Sequence, residues 1–287
     1  MSVIKERMEL EPRRGNQQAA EADEVARIRS VYMERDSRGQ RGGPIREAYR
    51  LLGAERRATT RRALLRLLPE QHPRVLDVGC GSGGDLSYLR SIGWPADKLA
   101  GVDLIPSRLE TARLACPDID LRLGDGSSVP FPDGTFDVAT AVTVFSSILD
   151  PGVRRALFAE MERVVRPGGV LLVYDFVIRK PTNPNVIGMP LRRLADLGRP
   201  PDWSMRLSPL LPAVAVAVAL HPRLVDVAMR VAPRTHRLSC WRKPPLREDV
   251  GESGEYRLTT RPRSCRTGYR KLLLMKVTSG GLLPFEL

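Results

Sequence analysis

Between Arg74 and Phe176 short apolar runs alternate with stretches whose apolar residues recur every three to four positions. "RVLDVG", "KLAGVDL", "IDLRLGD", "FDVATAVTV" and "GVLLVYDF" read as strands. "GDLSYLRSIG", "PSRLETARLAC" and "PGVRRALFAEMERVV" read as the helices between them. Strand, helix, strand predicts a parallel sheet wrapped on both faces. Ligands of such sheets sit at the carboxyl ends of the strands, near the point where strand order reverses. The polar residues ending these runs are therefore the candidates for chemistry: Asp77, Asp103, Asp125, Thr143 and Asp175.

The flanks read differently. From Ile45 to Leu68, Leu51, Leu52, Ala58, Leu64, Leu65, Leu67 and Leu68 recur at helical spacing among arginines, which predicts an amphipathic helical segment broken near Gly53 and covering one edge of the sheet. Residues 1–43 are polar and read as a flexible arm, apart from a short helix in "VARIRSVYMERD" that presents Val31 and Tyr32. After Phe176 come a loop, "RKPTNPN", a helix, "GMPLRRLADLG", and a strand, "DWSMRLSP". Two short helices, within Pro209 to Leu220 and Pro222 to Val231, lead to a last strand, "THRLSCWRK". Residues 44–243 thus form one domain, and 244–287, rich in Arg, Gly, Ser and Pro, read as a disordered tail.

Composition changes this picture little. A chain of 287 residues suffices for one large domain with extensions. The net charge of +13 would suit nucleic acid, but the cations are mostly arginines spread through helices with Glu and Asp between them. Nucleic acid is not the expected partner. Four cysteines without a C-x-x-C pair give neither a disulfide framework nor a zinc site, so no metal is expected. No run approaches the roughly 20 apolar residues of a membrane span, and the N-terminus has no apolar leader, so a cytoplasmic protein is expected.

The stretch "VLDVGCGSGGD" poses a question of charge. Gly79, Gly81 and Gly84 satisfy the G-x-G-x-x-G pattern of dinucleotide loops, and Asp103 stands where such proteins hold ribose hydroxyls. Yet Asp77 and Asp85 bracket the glycines. A carboxylate about 4 Å from a phosphate costs ~4 kcal/mol at an effective dielectric near 20. A ligand with a ribose and a cationic head but no phosphate turns that cost into attraction. An NAD-dependent oxidoreductase remains the enzymatic alternative, and a basic RNA-binding protein the non-enzymatic one.

These residues carry a family resemblance. The chain from about Arg74 to Phe176 resembles class I S-adenosylmethionine-dependent methyltransferases in "VLDVGCGSG", "GVDL", "GDGSSVPFPDGTFDVA" and "EMERVVRPGGVLLVYDF", in that order. "TVFSSILD", "YDF", "NPN" and "THRLSCWRKP" resemble a bacterial small-molecule subgroup. The resemblance implies an α/β Rossmann-like doubly wound sheet of seven strands, mostly parallel with an antiparallel last strand. It implies S-adenosylmethionine as cofactor. Asp77 and the backbone of Gly79, Cys80, Gly81 and Gly83 would hold the methionine portion, Asp103 the ribose, Leu104 the adenine face, and Asp125 with Gly126 the adenine edge; Thr143 joins this set.

Methyl transfer from a sulfonium asks the protein to align and desolvate the acceptor, and a base is optional. His236, Tyr174 and Asp175 are the candidate catalytic residues, near the expected pocket; Tyr32 is a candidate to close over it. "TVFSSI" lacks the Asn or Asp followed by Pro-Pro-aromatic that resembling enzymes use for amino groups, so base-directed N-methylation is disfavoured. The expected acceptor is a small molecule, a secondary metabolite or glycan precursor, with oxygen favoured as acceptor atom.

Overall fold

The computed structural model describes residues 2–37, 42–68, 70–125, 128–179, 183–245, 247–250 and 256–259. The chain divides into two compact units, 1–245 and 246–287. In the first, every apolar run expected to be a strand is one: β1 (Val75–Val78), β2 (Leu99–Asp103), β3 (Asp120–Leu123), β4 (Phe136–Val142) and β5 (Val165–Phe176). β6 (Trp203–Pro209) and β7 (Arg234–Arg242) complete a seven-stranded sheet of order β3-β2-β1-β4-β5-β7-β6. β1 to β5 pair in parallel, and β7, the last strand of this sheet in chain order, runs antiparallel to both β5 and β6. Strand order reverses between β1 and β4, which fixes where a ligand belongs.

Period-two alternation sorts the strand residues into two cores. Leu76, Val78, Val102, Ala139, Ala141, Leu171 and Val173 face α5 (Pro151–Val164), whose Val153, Leu157, Phe158 and Met161 cover them. Val75, Val138, Val170 and Leu172 face α2 (Gly43–Leu67), α3 (Gly84–Ser91) and α4 (Pro106–Ala115), through Leu64, Leu86 and Leu109. With both faces covered, the central strands carry apolar residues without interruption.

Two elements depart from expectation. α2 runs unbroken through Gly53, where the guanidinium of Arg57 lies over the glycine and an added Cβ would stand 3.2 Å from Arg57 Nη1. It covers the central strands β4 and β5 with its C-terminal half, while Ala48 and Leu52 pack on α7 (Leu211–Leu220) and α8 (Pro222–Val231). Where a short helix was read in "VARIRSVYMERD", one helix, α1, spans Ser2–Ser37. The remaining helix, α6 (Leu191–Ala195), is short. In the second unit β8 (Arg247–Val250) and β9 (Tyr256–Thr259) pair as an antiparallel hairpin. The rest of the expected tail lies outside the described residues.

Trp241 ties the antiparallel strand to the core. It is fully buried, its ring meets Phe158 edge-on at 5.2 Å, and its indole N–H donates to the Arg199 carbonyl at 2.9 Å. Trp241→Ala is expected to lower the unfolding free energy by ~3 to 5 kcal/mol, read from urea denaturation followed by circular dichroism.

Candidate active site

The glycine loop leaves β1 and enters α3. Gly79, Gly81 and Gly83 all have φ between 55° and 78°, a region costly for other residues. A side chain at Gly79 would also strike Val144, with Cγ2 2.5 Å from the added Cβ, whereas a Cβ at Gly81 would project into open space. The loop is fastened to β2 by backbone and by one carboxylate. Gly79 and Cys80 donate to the Val102 carbonyl at 2.8 and 3.1 Å. Asp103 accepts from the Gly81 amide at 2.7 Å and from the Ile105 amide at 2.8 Å, so it holds the loop and the entry to α4 together. The next strand end is drawn in as Gly124 donates to the Asp103 carbonyl at 3.1 Å.

The expected cofactor residues thus assemble at adjoining strand ends: Asp77, Gly79, Cys80, Gly81 and Gly83 after β1, Asp103 and half-buried Leu104 after β2, and exposed Asp125 after β3. Gly126 lies outside the described residues. The Cys80 thiol is buried against Leu86 and Leu121, and desolvation raises its pKa, so it fills space. Thr143, ending β4, has a φ of 56° although β-branched, a strained conformation of the kind that collects at functional sites.

Asp77 is buried and accepts from Thr140 Oγ1 at 2.8 Å. Burial and the nearby Asp85 push its pKa up, against the Thr140 bond and Arg56. Arg56, from α2, forms a two-pronged ion pair with Asp85 at 2.6 and 2.7 Å, and Arg57 approaches the same carboxylate at 3.9 Å. The Arg56 guanidinium also lies 5.5 Å from the Tyr174 ring centre. One buried cation therefore stands between two carboxylates. Sequence reading missed it among the arginines of α2; the available signal was Asp85, an acid in the first turn of α3 that needs a partner.

The three candidate catalytic residues separate. Tyr174 and Asp175 are consecutive on a strand and face opposite sides of the sheet. Tyr174 shares the Arg56 side, donates to Ser208 Oγ at 2.7 Å, and is pushed up to about 12 by burial. Its ring stacks on His236 at 4.9 Å, with Phe176 4.2 Å from the same imidazole. Asp175 is bound from the backbone on the other side, accepting from Ser146 N at 2.9 Å and Phe176 N at 2.8 Å. Burial holds its pKa up at about 6 in spite of those bonds. Its carboxylate fixes the turn at Phe145–Ser147.

α1 forms a roof over the ends of β4 and β5. Buried Glu24 accepts from the Leu149 amide and is paired with Arg27 at 2.8 Å; these bonds lower its pKa even though burial acts to raise it. Arg27 donates to the Ser147 carbonyl at 2.6 Å, and the Tyr32 hydroxyl meets Ser147 Oγ at 2.9 Å. Asp36 pairs with Arg108 of α4, whose guanidinium sits 4.4 Å over the Tyr32 ring. Under this roof an open cleft is lined by Tyr32, Arg35, Thr143, Ser147, Phe176 and Asn185, among others.

Residues 76–173 match the family model described as a methyltransferase domain, a segment that contains the glycine loop, Asp103, Asp125 and Thr143 but not Arg56, Tyr174, Asp175 or His236. An O-methyltransferase, cnsE, of Penicillium expansum is 30% identical over 148 residues, 50% of this chain and 51% of that one. Phthiotriol/phenolphthiotriol dimycocerosates methyltransferase 1 of Mycobacterium ulcerans is 38% identical over 131 residues, 43% of this chain and 46% of that one. The chain spans about half the length of these relatives. Among solved structures, a chain from the complex between the Haloferax volcanii Trm112 methyltransferase activator and a methyltransferase has a TM-score of 0.51 at 19% identity, covering 69% of this chain and 94% of that one, a likeness of fold.

Burial, and then Arg56, lower the His236 pKa to about 4 from an ordinary 6.5. The folded protein thus binds fewer protons here than the unfolded chain, so the stability this imparts is full above pH 6.5 and is lost as pH falls through 4. His236 is expected to stay neutral down to about pH 4, as followed by NMR titration of its ring; a midpoint near 6.5 would contradict the buried, Arg56-facing placement.

Proposed function

We propose that this chain, whose residues 76–173 match a methyltransferase domain, is a class I S-adenosylmethionine-dependent methyltransferase that methylates a small-molecule acceptor, with oxygen favoured as the acceptor atom. The observation that carries this reading is the charge arrangement around the glycine loop. Asp85 occupies the first turn of α3, where a dinucleotide would seat its pyrophosphate, and Asp77 is buried beside it. Two carboxylates repel phosphate. Asp77 with Arg56 instead offers one group of each sign, which suits an amino-acid zwitterion. The Asp103 oxygens each accept one backbone bond and retain a lone pair for ribose hydroxyls. Gly81 leaves room for close approach, and Leu104, Asp125 and Gly126 are assigned to the adenine.

When bound, S-adenosylmethionine supplies a methyl group on a sulfonium leaving group. The chain's own contribution is alignment and exclusion of water. The cleft beneath α1 offers hydroxyls from Tyr32, Thr143 and Ser147 and the amide of Asn185 to orient a polar acceptor, with Phe176 as an apolar wall. Alignment of this kind lowers barriers by ~7 to 11 kcal/mol. A proton acceptor adds about 100-fold to 10,000-fold where the acceptor is a hydroxyl. None of the three candidates is among the residues lining this cleft, and His236, with its pKa lowered to about 4, is a weak base, so alignment and not proton transfer carries the proposal. The names of the two relatives, an O-methyltransferase and a phthiotriol/phenolphthiotriol dimycocerosates methyltransferase, support small-molecule acceptors.

Titration calorimetry with S-adenosylhomocysteine is expected to show binding, and Asp103→Ala to weaken it by ~1 to 3 kcal/mol through loss of hydrogen bonds to a charged acceptor. Binding of NAD with none of S-adenosylhomocysteine would overturn the reading. Transfer of labelled methyl groups into metabolite extracts identifies the acceptor.

A further inference from the structure

The helical hairpin between β6 and β7 leaves an apolar surface uncovered. α7, "LPAVAVAVAL", carries no polar side chain, yet Val216 is 57% exposed and Leu220 68%. α8 divides into three stripes. Ala228 and Met229 pack on the cluster of Ala48, Leu52, Val214 and Ala215. Arg223, Asp226 and Arg230 form a polar edge. Leu224, Val227 and Val231 are 42%, 53% and 74% exposed. Leu224, Val227 and Val231 recur at helical spacing as one outward row on α8, and Leu220 ends α7 exposed as well. Patches of this kind on a folded surface mark an interaction site.

The surroundings say what covers it. Arg46, Arg206, Arg223 and Arg230 are exposed in this layer, and its ion pairs, Arg50 with Glu47 and Arg234 with Glu55, engage none of them. The chain carries +13 overall. A second copy docking through the same face would set arginine rim against arginine rim, which disfavours a two-fold contact. An apolar row with exposed arginines in the same layer fits an anionic lipid surface, where short helices lie in the plane and insert about 5 to 10 Å. α7 has ten residues and so is about 15 Å long, half of a hydrocarbon core. No helix among the described residues is long and apolar enough to cross a membrane.

We propose that the α7–α8 hairpin docks this protein on the interface of an anionic lipid bilayer. The inference rests on exposure and charge alone, and stands or falls independently of the acceptor's identity. The test is sedimentation of the full chain with vesicles of phosphatidylglycerol and phosphatidylcholine in equal parts, against pure phosphatidylcholine. Binding is expected to the anionic vesicles and to weaken in high salt. The double variant Val227→Asp with Val231→Asp is expected to lose about ten-fold or more in affinity with unchanged circular dichroism, since both side chains are exposed. Arg223→Gln with Arg230→Gln is expected to lose several-fold. Equal pelleting by the aspartate variant, no pelleting of the parent, or no preference for anionic vesicles overturns the proposal. So does a dimer in analytical ultracentrifugation that the aspartate variant dissolves, because a second copy would then be the occupant.

Discussion

The Asp103 carboxylate is the constraint around which this molecule is arranged. It is buried and accepts one backbone amide from the glycine loop and one from the entry to α4. Bonds from amides to an ionised acceptor are about twice as strong as neutral ones, so one side chain fixes the relative positions of β1, β2 and two helix starts. The loop cannot be re-shaped without losing it: three left-handed glycines set the path, and Val144 closes off one side at Gly79. What remains open is the space over Gly81, directly beside the Asp103 carboxylate. Loop, acid and opening form one unit.

Charge in that unit is balanced more finely than the opening residues suggest. Asp77 on its own would ask for a cation from the ligand. The fold supplies part of the answer through Arg56, which reaches Asp85 from another helix, acts on Asp77, and adds to the burial that keeps His236 neutral. An arginine shared among two acids and an imidazole responds to any charge placed near it. A ligand carrying both signs exchanges with this arrangement at little net electrostatic cost, whereas a phosphate adds to two existing negative charges. Where the sequence alone pointed to a cationic ligand at Asp77, Arg56 adds the opposite sign to the same place.

How much of this was legible followed from how each part is stabilised. The sheet was readable because strands buried on both faces must be apolar throughout, and "VLDV", "VATAV" and "VLLVY" are. α1 was under-read because polar contacts hold it to the domain: Glu24, Arg27, Tyr32 and Asp36 bond to Leu149, Ser147 and Arg108, and such contacts leave no hydrophobic period. The cofactor-side acids were visible as the last residues of their strands, while Arg56 was one of many arginines. Grouping Tyr174 with Asp175 was an avoidable error of reasoning, since neighbours on a strand face opposite ways. Their separate partners, Ser208 and the Ser146 amide, are what that alternation dictates.

The same contrast explains why the acceptor side resists assignment from residue types alone. At the cofactor side each group is fixed by backbone bonds, so identity and position are coupled. Beneath α1 part of the lining comes from α1 itself, which is tied to the rest through its own side chains, Arg27 to the Ser147 carbonyl and Asp36 to Arg108 among them. Pairs of this kind at a partly exposed surface are individually weak, and opening of the roof requires breaking several of them but no strand pairing. An enzyme that relies on alignment needs its acceptor enclosed during transfer and released afterwards. A helix held by a row of separate polar contacts, set above a sheet that does not move, meets both demands.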